Sequence, residues 1–290
     1  MSAFLTGANP DRAGQALWPM WSQRWLAPTR RPPLPQETAP MSETIAPIFP
    51  ATEDLFRSDA YRTEGDAQVL AITATETGAE ILLDRTLFYP NGGGQPGDTG
   101  VIVSPAGDEI RILDTRKGAA PGTIVHLTAP LPALVAGDTV QMRLDWPRRH
   151  RLMRMHTCLH LLSSVIPAGV TGGQVNEDKG RLDFDIGELV LDRDAIEAQL
   201  NALIAGDHPV GQRWISDAEL DANPGLVKTM SVQPPRGAGQ VRLIDIPGVD
   251  LQPCGGTHVA RTGEIGPVRI EKIENKGKRN RRVVLAFLEA

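Results

Sequence analysis

The sequence predicts an α+β fold, in which a small N-terminal β-barrel precedes an α+β domain with helices packed on an antiparallel sheet. Three observations predict it. Through residues 67–144, short β-prone runs are punctuated by Gly and Pro at regular spacing, the pattern of a small barrel or sandwich. At Asp145 the apolar period lengthens to three or four residues, the pattern of a helix. The chain has 290 residues, and at roughly 100–200 residues per domain that length suggests two domains.

The barrel strands are expected at 69–72, 80–83, 101–103, 110–113 and 140–144. Asp145 is a helix cap, and Pro147 falls in the first turn, where a missing N–H costs nothing. Leu152, Met155, Leu159, Leu162 and Ile166 give this helix one apolar face, and Pro167 ends it. A strand is expected at 181–186. A second helix follows at 194–205, with Ile196, Leu200, Leu203 and Ile204 inward and Gly206 after its end. Further strands are expected at 241–245, 268–273 and 283–288, and there is no internal repeat. The expected division is an extension over 1–50, the barrel over 51–145 and the α+β domain over 146–290.

Composition narrows the function class. Apolar residues make up 41% and charged residues 22%, with a net charge of −5, values of an ordinary globular chain. Two cysteines cannot build a disulfide scaffold and point to a reducing, cytoplasmic setting. No apolar run approaches the roughly 20 residues of a membrane helix. The negative total argues against coating nucleic acid wholesale but leaves room for a local basic face.

Residues 1–40 stand apart. They hold Trp18, Trp21 and Trp25, with Pro19 and Pro28 breaking any long helix, and they end in the linker-like run Arg30-Arg31-Pro32-Pro33-Leu34-Pro35. Three readings stay open: Met41 is the true first residue, the segment is a disordered tail whose tryptophans bind a partner, or it is a transit peptide. Pro19 weighs against the last.

The chemistry concentrates in four residues. His156 and His160 lie four apart on the first helix, so their imidazoles are separated by only about 40° around its axis. Cys254 and His258 form a second pair, and Gly255 and Gly256 let the loop between them fold tightly. Three imidazoles and a thiolate are the donors zinc prefers, and four of them complete a tetrahedral site. Two unrelated pairs are the alternative, made less attractive by a chain with only 6 histidines and 2 cysteines. Cys158 is about 160–200° around the helix from both histidines. It is read as a small core residue rather than a disulfide partner of Cys254.

These residues resemble the editing domain of alanyl-tRNA synthetase and its free-standing relatives, the alanyl-tRNA-editing proteins of the AlaX type. His156-Thr157-Cys158-Leu159-His160 is similar to that family's first metal motif, and Cys254-Gly255-Gly256-Thr257-His258 to its second. The related threonyl-tRNA editing domain usually carries Arg-Gly-Pro between its Cys and His, so Gly-Gly-Thr here favours the alanyl branch. The run from Tyr89 to Gly100 resembles the glycine-rich motif of the barrel preceding the editing domain, and the run from Asp178 to Asp185 the strand after the first helix. The resemblance extends from about residue 52 to the end and matches the medium-length free-standing form. Gly92, Gly94 and Gly97 also satisfy a dinucleotide-binding spacing, but Pro96 and the β-like 101–103 argue against the helix that motif must open.

The resemblance implies hydrolysis of the ester joining an amino acid to the terminal ribose of tRNA, with one zinc ion per chain. The expected substrate is alanine-specific tRNA mischarged with serine, glycine being second. An apolar pocket rejects an added hydroxyl poorly, so an editor needs a polar reader. Gln95 is the first candidate and Thr171 the second. Four protein ligands fill a tetrahedron, whereas catalytic zinc keeps a position open, so a catalytic and a substrate-positioning role for zinc both stand. No general base is evident, and Asp98 and Glu264 are read as solvated loop carboxylates. Arg148, Arg149, Arg151 and Arg154 crowd the start of the metal helix. Lys272, Lys276, Lys278, Arg279, Arg281 and Arg282 crowd the C-terminal end. Of these, Arg148, Arg149, Arg151, Lys278, Arg279, Arg281 and Arg282 are the expected phosphate-binding residues. No obligate protein partner is inferred. A zinc-containing tRNA-binding protein without activity, an editor of another aminoacyl-tRNA and a general metallohydrolase are the competing readings.

Overall fold

Alternation of apolar and polar residues in the first half closes a barrel. The structure, a computed structural model, describes residues 49–230 and 239–288, so the readings of residues 1–40 and most of the expected extension over 1–50 lie outside the described residues. Six strands form the barrel: β1 (Glu64–Ala74), β2 (Ala79–Leu83), β3 (Gly100–Val103), β4 (Glu109–Lys117), β5 (Ile124–Thr128) and β6 (Thr139–Leu144). They are ordered β1-β2-β5-β4-β3-β6, with β6 closing on β1, and every pairing is antiparallel. Val69, Ile81, Leu83, Phe88, Ile102, Ile112 and Met142 fill the interior. Strand β5 is the barrel strand that the sequence did not reveal. Its inward His126 breaks the apolar run, yet the ring is buried as a neutral group. Its Nδ1 donates to the Ile81 carbonyl at 3.0 Å and its Nε2 meets Thr86 Oγ1 at 2.7 Å, and burial pulls its pKa down to about 4.

Helix α1 (Trp146–Val165) starts as expected. Asp145 accepts from the Arg148 N–H and Pro147 lies in the first turn. The expectation of one apolar face is too narrow, because Met153, Thr157, Cys158 and Leu161 are buried as well as Leu152, Met155, Leu159 and Leu162. A helix buried on nearly all sides is an interior one. Strands β7 (Gly169–Val175) and β8 (Lys179–Asp185) follow, then α2 (Arg193–Ala205), β9 (Gly211–Ser216), α3 (Asp217–Ala222), β10 (Gln240–Ile246), β11 (Asp250–Pro253), β12 (Val268–Asn275) and β13 (Asn280–Phe287). One antiparallel sheet runs β12-β13-β8-β7 and a second runs β9-β10-β11. Helices α1 and α2 share a core with the larger sheet, including Leu152, Leu162, Leu200, Val268 and Leu285. The architecture is therefore α+β with a closed barrel, in line with the sequence. Cys158 is a free thiol in this core, its pKa pushed up to about 12 by burial. No described helix is long and apolar enough to cross a membrane.

One buried ion pair ties barrel to helix. The Arg149 guanidinium, fully buried, bonds the Asp98 carboxylate through Nε at 2.8 Å and through Nη2, and it also donates to the carbonyls of Leu87 at 2.8 Å and Ala60 at 3.1 Å. Asp98 in turn accepts the Tyr89 N–H at 2.6 Å and is itself buried. Two expectations are corrected here. Arg149 has no surface to offer a phosphate, and Asp98 is not a solvated loop carboxylate.

Replacing Arg149 with Met strands a buried carboxylate. The expected loss is about 3–5 kcal/mol of unfolding free energy in chemical denaturation, whereas an RNA-contacting arginine at the surface would leave stability nearly unchanged.

Candidate metal centre

The four candidate ligands come from two places that are distant in sequence. Helix α1 presents His156 and His160 one turn apart, and the loop after β11 brings Cys254 and His258 against them. One donor atom from each of the four residues lies within 4.8 Å of the other three. Cys254 Sγ is 3.5 Å from His156 Nε2 and 3.3 Å from His258 Nε2. For metal bonds of about 2.0–2.1 Å to nitrogen and 2.3 Å to sulfur, an ideal tetrahedron has N–S edges of about 3.5 Å. These two distances suit donors sharing one ion, and the four residues are a group that could hold a metal.

The outward nitrogens support the same geometry. His156 Nδ1 donates to Gln95 Oε1 at 2.8 Å, His160 Nδ1 to Asp250 Oδ2 at 3.0 Å, and His258 Nδ1 meets Thr157 Oγ1 at 3.1 Å. A metal-bound imidazole keeps its proton on the other nitrogen and needs an acceptor there, and each ring has one. The loop needs Gly256, since a Cβ there would sit 2.2 Å from His156 Cε1. The carbonyls of Cys254 and Gly256 accept from Arg242 Nη1 at 3.1 and 2.8 Å, and Gln212 holds that guanidinium at Nε, 2.6 Å away.

Electrostatics favour the ligating protonation states of Cys254 and His258, while His160 is held toward its charged form. Burial opposes charge on Cys254, but the imidazoles of His156 and His258 outweigh it and hold the thiol well below its usual value. Burial, then the neighbouring His156, lowers His258 to about 3, leaving that ring neutral. Burial also opposes charge on His160, yet the bonds to Asp250 and Cys254 prevail and raise it to about 9. Asp250 moves the other way: burial opposes its charge, but His160 and Lys228 Nζ at 2.6 Å bring it down to about 2.

The cluster opens onto a cavity of about 280 Å³, near the lower end of the roughly 300–1,000 Å³ of small-molecule sites. Glycines form much of its wall: Gly92, Gly93 and Gly94 from the barrel loop, Gly172 and Gly173 from β7, and Gly255 and Gly256. Gly94, at φ +81°, approaches β7 so closely that a Cβ would lie 2.9 Å from the Gly173 carbonyl, and its own carbonyl accepts the Val175 N–H at 2.8 Å. The glycine-rich loop is a turn closed by a Gly92–Gln95 bridge, and the next element is strand β3 rather than a helix. Among the described residues, Arg57 and Lys117 are the Lys and Arg side chains of the lining, and no Asp or Glu belongs to it.

The other expected site residues are placed as follows. Gln95 is buried beneath the loop. Its Oε1 also accepts the Thr257 N–H at 3.2 Å, and its Nε2 donates to Thr257 Oγ1 at 2.9 Å. Both ends of the carboxamide are engaged in holding the centre, so its position is that of an orienting group. Val170 and Gly172 line the cavity on either side of Thr171, whose hydroxyl donates to the Asp183 carbonyl and accepts from Asn280 Nδ2. Glu264 is a clamp, bonded to Tyr61 Oη and the N–H groups of Ala260 and Arg261. Arg148 pairs with Glu177, Arg151 with Asp178, Arg279 with Asp185 and Arg282 with Asp183, while Arg281 donates to backbone carbonyls. Lys278 lies exposed on the β12–β13 turn. Asp250, Gln252, Thr157 and Arg242 escaped the sequence reading. A signal existed for two of them: Asp250 and Gln252 alternate on the buried face of the strand leading to Cys254.

Comparison with known proteins agrees with the geometry. The family model described as the threonyl and alanyl tRNA synthetase second additional domain matches residues 241–284, and that of class II (A) tRNA synthetases matches residues 57–148. The chain is 38% identical over 249 residues to the alanyl-tRNA editing protein AlaX-M of Methanosarcina acetivorans, covering 82% of this chain and 100% of that protein. It is 33% identical to the AlaX-M protein of Saccharolobus solfataricus, over 80% of this chain and 97% of that one. It is also 34% identical to the alanine–tRNA ligase of Sulfurisphaera tokodaii, over 86% of this chain but 27% of the ligase.

Replacing Gln95 with Ala removes the acceptor for His156. Zinc affinity, read by competition with a chromophoric chelator, should fall by about 10–100-fold, with the barrel still folded by circular dichroism.

Proposed function

The chain belongs to the family of alanyl-tRNA editing proteins, and from that premise we propose that it is a zinc-dependent deacylase of mischarged alanine tRNA, with serine as the amino acid removed. The observation that carries this reading is a four-donor metal cluster at the wall of a glycine-lined cavity. His156, His160, Cys254 and His258 hold the ion. When bound, zinc supplies Lewis-acid polarisation and a lowered pKa for water. The chain's own residues do the rest. Gln95, Asp250 and Thr157 fix the imidazoles. The glycine walls let the backbone close on the terminal ribose and its amino acid without side chains intervening. Arg57 and Lys117 bring positive charge to the phosphodiester leading to that ribose. In this reading residues 51–145 are a barrel domain that supplies the glycine-rich wall, residues 146–290 are the editing domain, and the setting is cytoplasmic.

The closed set of four protein donors also favours a second reading, in which the metal is structural and the protein binds tRNA without hydrolysing it. Deacylation assays separate the two. Seryl-tRNA specific for alanine should lose its amino acid and alanyl-tRNA should be spared. The Cys254→Ala variant should lose zinc and hydrolysis together. A zinc-loaded protein that binds tRNA and hydrolyses neither ester would establish the second reading.

The β12–β13 turn and the start of α1 form the proposed tRNA-binding surface, through Arg148, Arg151, Lys278, Arg279, Arg281 and Arg282. The acidic partners of four of these reduce the local field. Neutralising Lys278, Arg279 and Arg281 to Gln should weaken tRNA binding and flatten the slope of log K against log salt by about 0.7–0.9 for each phosphate that is no longer neutralised.

A further inference from the structure

Rejection of alanine requires a group that the serine hydroxyl satisfies and a methyl does not. Gln95 is engaged in holding His156 and Thr257, and the Thr171 hydroxyl is bonded to Asp183 and Asn280. Among the described residues, the one buried carboxamide in the cavity lining is that of Gln252, two residues before Cys254 on β11.

The orientation of this amide is settled by its neighbours. Gln252 lies 2.7 Å from Asp250 Oδ2, and a carboxylate only accepts, so the amide nitrogen faces it. The same nitrogen donates to Ser163 Oγ at 2.9 Å, and Ser163 passes its own proton to the His160 carbonyl at 2.8 Å. Both N–H groups are therefore spent on fixed partners. Asp250 is held in turn by Lys228 and His160. What remains is the carbonyl Oε1, an acceptor locked in place on a residue of the cavity wall beside the metal cluster.

We propose that Gln252 is the residue that reads the substrate side chain, accepting the serine O–H at Oε1. The inference rests on the editing reading above and names its specificity determinant. With alanine or glycine bound, Oε1 is shut off from solvent and gains no partner. A site built this way discriminates between hydroxyl-bearing and hydroxyl-lacking substrates by up to about 10⁴–10⁵-fold. Ser163 is the alternative reader, but its proton is committed to the His160 carbonyl and one of its two lone pairs to Gln252.

The test compares wild type, Gln252→Met and Ser163→Ala in deacylation of seryl-, glycyl- and alanyl-tRNA specific for alanine. It also measures binding of stable amide analogues, 3′-seryl-amido- and 3′-alanyl-amido-adenosine, together with the zinc content and melting temperature of each protein. The expected result is that Gln252→Met loses about tenfold or more in kcat/KM on the seryl ester. It should keep its residual rate on the glycyl and alanyl esters, keep its zinc, and bind the two analogues equally. Ser163→Ala, which frees one amide N–H and lets the carboxamide turn, should show a smaller loss of serine preference. Loss on all three esters alike would overturn the inference, because it points to a bond with the common amino group or to a purely structural role. Retained serine preference in Gln252→Met, or its loss in Ser163→Ala alone, would overturn it too. If wild type hydrolyses none of the three, the editing reading itself fails, and that is visible before any substitution is made.

Discussion

The structure depends on one constraint: three imidazoles and a thiolate must converge while every outward ring nitrogen still finds an acceptor. The first half of that demand fixes the two ligand-bearing elements relative to each other. The second half recruits three more parts of the chain. Gln95 comes from the barrel loop, Asp250 from β11 and Thr157 from α1 itself. The helix is thereby held on the side facing the barrel and on the side facing the smaller sheet. Its burial on nearly all sides follows, because an imidazole can present a fixed nitrogen only if its helix cannot rotate.

The buried Arg149–Asp98 pair belongs to the same logic. Seven residues before His156, it locks the start of α1 to the carbonyls of Ala60 and Leu87 and to the loop that carries Asp98. A buried pair of this kind is weak evidence for stability, since apolar packing could do as well. What it supplies is register. Two planar groups joined through two guanidinium nitrogens tolerate little rotation, so the histidines are delivered at a set height along the helix. Of the arginines around it, Arg148 and Arg151 are half-buried and paired with Glu177 and Asp178, and Arg154 donates to the Ile265 carbonyl.

The fold was legible wherever period and punctuation were strong. The helix start at Asp145 and Pro147, the helix after Asp192 and the strands holding Val283 and Val241 all declare themselves by spacing. Strand β7 did not, because Gly169, Gly172 and Gly173 dilute its pattern. Gly172 and Gly173 line the cavity, so the residues that keep its wall open are the ones that dilute the strand signal. Strand β9 was hidden by its exposure: Gly211, Gln212, Arg213 and Trp214 give no apolar alternation at a sheet edge. The four donors were legible as two spaced pairs. Their supporting shell was not, since Arg149, Arg242 and Gln252 look like ordinary polar residues until burial shows what they hold. Charge runs misled for the converse reason. Arg149 reads like its neighbours Arg148 and Arg151, and only the third dimension separates an interior cation from two exterior ones.

The barrel is an integral part of the centre. Its glycine-rich loop supplies the acceptor for His156, the partner of the Thr257 N–H and hydroxyl, and the cavity wall at Gly92, Gly93 and Gly94. Gly94 also bonds β7 across the cavity. A chain reduced to the α+β part would keep all four donors but lose the group that orients one of them and half of the enclosure. Enclosure is what gives a polar reader its leverage: a carbonyl open to bulk water replaces a lost hydroxyl with solvent, whereas one closed in by a substrate cannot. The alanine–tRNA ligase match spans 86% of this chain, barrel and α+β part together. That is the extent expected if metal centre and enclosure have to be inherited as one unit.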